Sequence, residues 1–377
     1  MNIKSLLLGS AAALVAVSGA RAADAVIAPE PEPVEYVRVC DVYGTSFYYI
    51  PGTEICLKVG GYLRYDIGVG DLAGDTGDTG DQTYYKRARF QLRMDARTET
   101  ELGTLRGYFA GNFNFVTTEA IFTGVTPTNP DGYNFHDVVD NQEIEHAYVE
   151  LGGFRIGATD SLFSTETGYA GDIIYDDLIA YGPFKTHQIA YTFDAGNGFS
   201  ISGAVEEGNS GNYTTDPESG EDWGVINDYA PHAVLGAAYS GGIWGASIVG
   251  GYDSSFDEFS VKGRIDVRPN DMFSLFIMGA WTDDDDGSGG NFYAAWGGDW
   301  GLWVGAAAKF NDTFKLNGQF SMSDLEDYAA VADLNITVVP GFVVTPGVAY
   351  TQGDGDPLSY VPEGDNWGGY LRTQFTF

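Results

Sequence analysis

Apolar and polar residues in strict alternation, connections that switch between short and long, and no long apolar run past the N-terminus together predict an all-β chain. It is expected to form a 16-stranded antiparallel transmembrane β-barrel. The composition agrees. The 377 residues include 52 Gly, 7 Trp, 24 Tyr and 23 Phe but only 2 Cys and 5 Met, and the mean hydropathy is −0.13. Lys and Arg number 19 against 53 Asp and Glu, a formal charge of −34. That balance excludes nucleic acid as a partner, because phosphate recognition needs a basic face. A helical membrane protein needs runs of about 20 apolar residues, and none occurs beyond residue 20. The aromatic share of 14% also excludes an acidic disordered chain, since so many rings can bury much surface.

The elements follow in chain order. Lys4, an uncharged stretch from Leu6 to Val17, and small residues ending in Ala20-Arg21-Ala22 give the layout of a secretory signal peptide, residues 1–22. The stretch is too short to span a bilayer as an anchor. Its removal takes away Lys4 and Arg21 and no acid, so −34 becomes −36. Residues 23–54 then form a periplasmic segment, in which Ala28 to Pro33 reads as an extended, proline-spaced tether. Cys40 and Cys56 both lie in the exported part. An even count close together outside the cytoplasm argues for a disulfide, and no His stands near either thiol to support a metal site. Closing a loop of that size contributes on the order of 3 kcal/mol.

From residue 55 to 377 the chain reads as barrel. Leu57, Val59, Leu63, Tyr65, Ile67 and Val69 share one parity, and Lys58, Tyr62, Arg64 and Asp66 the other. Ala88, Phe90, Leu92 and Met94 alternate with Arg87, Arg89, Gln91 and Arg93. Phe259, Val261 and Ile265 do so with Ser260, Lys262 and Arg264, and Leu316 and Phe320 with Lys315, Asn317 and Gln319. Such a strand has one apolar and one polar face. Short connections fall at Glu99–Gly103, Gly152-Gly153, Asp194–Gly198, Ser240–Gly242, Arg268–Asp271, Asn311-Asp312 and Val339–Gly341. Longer, mostly acidic ones fall around 70–83, 116–142, 160–186, 207–230, 253–258, 283–295, 324–327 and 353–366. This is the up-and-down pattern of an outer-membrane barrel with short periplasmic turns and long extracellular loops, and its connections imply sixteen strands. Residues 291–310 are ambiguous, with Trp296 to Trp303 readable as loop, strand or both. Phe113, Phe115, Tyr350, Trp367 and Phe375 suit the interfacial girdles. The last strand ends in Phe375 and Phe377, which resembles the C-terminal assembly signal of outer-membrane barrels and implies the barrel-assembly machinery as a partner.

The segment from Met1 to Asp66, the stretch Thr98 to Gly103 (TETELG), Trp296 to Trp300 (WGGDW) and Val339 to Phe342 (VPGF) are similar to alphaproteobacterial general diffusion porins of the Brucella and Rhizobium type. The similarity runs over essentially the whole chain. It implies a homotrimer in outer-membrane lipid and lipopolysaccharide, a third loop folded into the lumen, and a water-filled passive diffusion channel for ions and small hydrophilic solutes. No cofactor and no catalysis are expected. A substrate-specific porin, or an adhesive or structural barrel, are the alternatives.

A passive pore needs a constriction whose charges ease entry without trapping the solute. Lys86, Arg87, Arg89, Arg93, Arg97 and Arg106 cluster in a short stretch. Arg64, Arg87, Arg89, Arg93, Arg97 and Arg106 all have the polar parity of the first three strands and so form a candidate basic wall. Asp160, Glu166, Asp172, Asp176 and Asp177 in loop 160–186 are the candidate acids facing it, an arrangement that resembles general porins. Competing signals fail. The run Asp283 to Gly287 has Thr282 and Tyr293 where a calcium loop needs acids. His136, His146, His187 and His232 lack metal-ligand spacing, and no GxSxG is present.

Overall fold

The computed structural model describes residues 38–70, 84–122, 133–208, 214–215, 222–223, 225–226, 229–283, 291–356, 359 and 361–377. The expected signal peptide and the proline-spaced tether lie outside them.

Sixteen strands form one antiparallel sheet that closes on itself. They are β1 (Cys56–Gly70), β2 (Tyr85–Thr100), β3 (Gly103–Phe122), β4 (Tyr133–Leu151), β5 (Phe154–Asp160), β6 (Lys185–Asp194), β7 (Phe199–Glu206) and β8 (His232–Gly241). Then follow β9 (Trp244–Asp253), β10 (Glu258–Asn270), β11 (Phe273–Thr282), β12 (Trp300–Lys309), β13 (Phe314–Ser323), β14 (Tyr328–Val339), β15 (Phe342–Gly353) and β16 (Gly364–Thr376). Each strand pairs with its sequence neighbours, and β16 closes the ring on β1 with Arg372 opposite Asp66 and Phe375 opposite Leu63. Closure leaves no strand edge in hydrocarbon, the condition for a sheet to cross a bilayer.

The alternation read from the sequence is the alternation of the two barrel faces. Val59, Leu63, Phe113, Ile156, Ile189, Leu235, Ile248, Ile265, Leu316 and Val348 are exposed on the outside. Their neighbours in sequence point inward. The second of the eight longer connections read from the sequence, 116–142, is shorter than expected. β3 and β4 pair as far as Phe122 and Tyr133, because a hairpin can go on pairing beyond the membrane band, where alternation is no longer demanded. The ambiguous 291–310 stretch is both things at once: Trp296 lies in a connection, and Trp300 begins β12. The two-residue turn at Gly152-Gly153 has φ of 57° and 91° at its two residues, a conformation that glycine adopts without a Cβ clash.

All seven short turns lie at the end of the barrel that also holds the start of β1 and the end of β16. There Cys40 is bonded to Cys56, with 6.0 Å between their Cα atoms. Tyr48-Tyr49 pairs with the start of β1. Phe47 is buried beside the disulfide and sits under Lys58 at 5.9 Å and Arg97 at 5.2 Å. These are lumen-facing residues, so the segment before the barrel packs on the inner rim. At the chain end, Phe377 exchanges two 3.1 Å backbone hydrogen bonds with Gly61, while Phe375 and Phe377 remain exposed on the outer face.

Candidate functional site

The six arginines expected on one wall all face the lumen on β1, β2 and β3. Register sets their partners, and most of those partners are carboxylates of the same wall. Toward the long-loop end, Asp66 holds Arg87 at 2.9 Å and Arg372 at 2.7 Å. Toward the short-turn end, Asp95 takes Arg97 at 2.7 Å and Arg106 at 3.0 Å. Glu150 adds Arg106 at 2.9 Å and Arg155 at 2.8 Å. Arg155 on β5 and Arg372 on β16 therefore belong to the basic wall as well. Each stands alone in its strand, so neither joined the sequence cluster, although both have the inward parity.

The middle of the wall differs. Arg64 donates through Nε to Gln374 at 2.9 Å, and Arg93 donates to Gln91. Both guanidinium groups lie over the Tyr62 ring, at 4.4 and 5.5 Å. Arg89 donates to Asn114 at 2.6 Å and reaches Glu143 only at 3.4 Å. Neutral amides dominate here, so the charge is left to act on the lumen. A register shift beside Ala110 and Gly111 leaves Glu145 without a strand partner, and its carboxylate accepts from Asn112 at 2.8 Å.

The connection between β5 and β6 runs inside the barrel. Ser161 caps its one helical turn, α1 (Leu162–Thr167), by accepting the Phe163 amide at 3.1 Å. Leu162, Phe163, Ala170, Ile173, Leu178, Ile179 and Tyr181 are buried against lumen-facing Val234, Val249, Met278, Trp303 and Val331. Apolar residues on the inner face of a water-filled barrel would be costly, and this loop covers them. Polar latches fix its height. The Trp303 indole donates to the Ile179 carbonyl at 2.8 Å, Gln319 to the Asp176 carbonyl at 2.7 Å, and Lys262 to the Tyr181 carbonyl at 2.5 Å. Asp333 accepts the Ile174 amide at 3.1 Å.

Between this loop and the arginine wall lies a void of about 440 Å³. It is lined by Arg64, Arg89 and Arg93 on one side and by Asp160, Tyr169, Asp176 and Tyr181 on the other. Of the five acids read from the sequence as loop residues, Asp176 lines it from the loop, and Asp160 lines it as the last residue of β5, paired in register with Lys185. Asp177 is adjacent, Asp172 pairs with Lys315 on β13, and Glu166 turns toward Gly236 on β8. Tyr169 donates to Asp160, and Tyr181 donates to Asp176 at 2.7 Å. Burial and the neighbouring Asp177 carboxylate push Asp176 up to about 7. Burial and Asp160 push the Tyr169 hydroxyl up, which keeps it a donor. Among the described residues no group of His, Cys, Asp and Glu could hold a metal ion.

A closed sheet with an apolar outer face, a charged lumen and a loop narrowing that lumen defines a transmembrane channel of the outer-membrane barrel class. Comparison with known proteins makes the assignment finer. The family model "Porin subfamily" matches residues 24–367. The chain is 45% identical over 386 aligned positions to porin Omp2b of Brucella melitensis, with all of both chains covered. This chain belongs to that porin subfamily; it is a non-enzymatic, general diffusion channel of the outer membrane. Two solved structures share the fold at low identity. The outer membrane channel DcaP of Acinetobacter baumannii aligns with TM-score 0.58 at 18% identity, covering 87% of this chain and 99% of that one. An anion-selective porin from Comamonas acidovorans aligns with TM-score 0.52 at 13% identity, covering 86% and 100%.

Proposed function

We propose that ions and small hydrophilic solutes pass through the gap between Arg64, Arg89 and Arg93 on the wall and, facing them, Asp160 at the end of β5 and Asp176 on the inserted loop. The carrying observation is that both sets line one void of about 440 Å³. Opposite charges held across a narrow gap set up a transverse field. A solute is then steered by polarity as well as sieved by size, without a site tight enough to hold it. Arg87, Arg97 and Arg106 support the wall through their carboxylate pairs and act on the solute less directly. Asp172, Glu166 and Asp177 complete the acidic loop, with Asp172 and Glu166 turned away from the gap.

Residues 1–22 act as a cleaved export signal, and 23–54 form a periplasmic segment tied by Cys40 and Cys56 to the barrel of residues 55–377. The channel assembles as a homotrimer in lipid and lipopolysaccharide, with Phe375 and Phe377 as the signal read by the assembly machinery. The mature charge of −36 follows from the sequence once residues 1–22 are removed. Most of it lies in extracellular loops, so it raises cation concentration at the mouth within a Debye length of about 8 Å. The channel is therefore weakly cation-preferring. A planar-bilayer recording with a polymer size-exclusion series tests this reading. Three equal conductance steps per insertion, a size cut-off and a small positive cation preference are expected. Single steps would refute the trimer, clear anion selectivity would refute the mouth-dominated charge, and a bilayer that stays closed would refute the pore.

A further inference from the structure

A second connection also enters the barrel, and it presses on the first. Residues 291–299 precede β12, yet Phe292, Tyr293 and Trp296 are 6%, 0% and 3% exposed. The segment is pinned from the long-loop ends of four strands. Asn291 donates to Ser260 on β10 at 3.1 Å and to Thr282 on β11 at 3.0 Å. Asp253 on β9 accepts the Phe292 amide at 2.8 Å, and the His232 ring on β8 stacks on Phe292 at 5.4 Å. The wall leaves room for it, since a Cβ on Gly251 would come within 2.6 Å of the Tyr293 ring.

The pinned segment meets the pore loop at one buried carboxylate. Glu206 on β7, 1% exposed, accepts from the Ser161 hydroxyl at 2.7 Å, the Leu162 amide at 2.7 Å and the Tyr293 hydroxyl at 3.1 Å. The Tyr293 ring lies 5.1 Å from Phe163. Ser161 directly follows Asp160, an acid that lines the gap. Asp160 is the last residue of β5, so a shift of Ser161 pulls on the backbone that carries it, and Tyr169 of the same loop donates to its carboxylate.

We infer that Tyr293 and Glu206 are positioning residues for the pore: the inserted segment 291–299 wedges the start of the third loop, and so sets the width of the gap and the place of its Asp160 charge. The inference rests on the channel reading above. Tyr293 is fully buried and lines no open lumen, so truncating it widens the pore only if the loop it supports moves. A neutral polar contact that merely stabilised the barrel would leave the pore dimensions as they are.

The test is single-channel recording of full-length protein carrying Tyr293→Ala, Tyr293→Phe, Glu206→Ala or Glu206→Gln, with polymer exclusion and reversal potential measured on each. Tyr293→Ala and Glu206→Ala are expected to shift the polymer cut-off upward and to change ion selectivity together. Tyr293→Phe keeps the ring on Phe163, and Glu206→Gln keeps an acceptor for the Leu162 amide, so both are expected to restore the wild-type cut-off in large part. Alanine variants that assemble and match wild type in cut-off and reversal potential overturn the inference. If an alanine variant fails to assemble, Tyr293→Leu fills most of the volume without the hydroxyl or the ring stack. It is expected to show the same upward shift in smaller measure, and a wild-type cut-off for it overturns the inference. Wild-type protein that carries no current would instead sink the channel reading itself.

Discussion

From β16 round through β1 to β5 the lumen wall is a lattice of arginines and carboxylates, whereas from β7 to β15 it presents Ala204, Val234, Val249, Met278 and Trp303 to an inserted loop. The first half can stand in water as it is, because charged and amide groups pair across strands and hydrate where they do not. The second half cannot, and roughly 25 cal/mol is gained for each Å² of its apolar surface that the loop removes from water. The side on which the loop lies is thus dictated by which half needs cover. The void that remains lies along the arginine wall, and it is asymmetric in charge for the same reason that it is narrow.

The largest expected effect falls on the apolar side. Trp303 is fully buried and donates to the Ile179 carbonyl at 2.8 Å. Trp303→Ala is expected to cost about 3–5 kcal/mol and to free the loop's centre, measured as a lowered denaturant midpoint and a noisier open channel. An unchanged midpoint would mean that the loop is not held by this face. On the charged side the largest loss falls on the buried pair. Arg87→Leu strips Asp66 of a 2.9 Å partner, and its cost of about 3 kcal/mol sits at the low end for a broken buried pair because Arg372 still holds the carboxylate. The denaturant midpoint of refolded protein reads this directly. Equal stability of variant and wild type would show that the lattice is mere solvated surface.

A smaller and functional effect is set by pH. Asp176, pushed up to about 7 by burial and Asp177, gains its charge as pH rises through neutrality rather than near 4. Its folded form thus keeps a proton that the unfolded chain has lost, and the stability this supplies falls as pH rises from about 4 to about 7. In the channel the consequence is a cation preference that increases between about pH 6 and 8. His146 on β4 also lines the void, so it is replaced first: a reversal-potential titration is expected to step upward in His146→Gln protein and to be flat once Asp176→Asn is added. A step that survives in the Asp176→Asn protein would assign the titration elsewhere.

The sequence made the barrel legible because a membrane sheet must alternate and must turn tightly at one end. Val59 against Lys58, or Leu316 against Lys315, states a face outright, and the inward direction of Arg64, Arg87 and Arg106 follows from parity alone. Cross-strand partners are less accessible. That Arg106 meets both Asp95 and Glu150, while Arg64 hydrogen-bonds the Gln374 amide at the other end of the chain, depends on cross-strand register, which no local pattern states. The fate of the loop acids is harder still. Asp160 and Asp172 look alike in the sequence, yet Asp160 ends β5 at the gap, while the packing of the loop around Ile173 turns Asp172 to Lys315. The role of 291–299 was hidden for the same reason, although three large aromatics in a supposed surface connection were a signal that it is buried.

The mid-wall arginines Arg64, Arg89 and Arg93, held mainly by amides, carry the basic side of the proposed pore, rather than those paired with carboxylates above and below. A single-channel reversal potential in a salt gradient tests it, comparing wild type with Arg64→Gln, Arg89→Gln and Arg93→Gln combined. The predicted result is altered conductance and a clear shift toward cation selectivity. An unchanged reversal potential in the assembled triple variant would contradict the account.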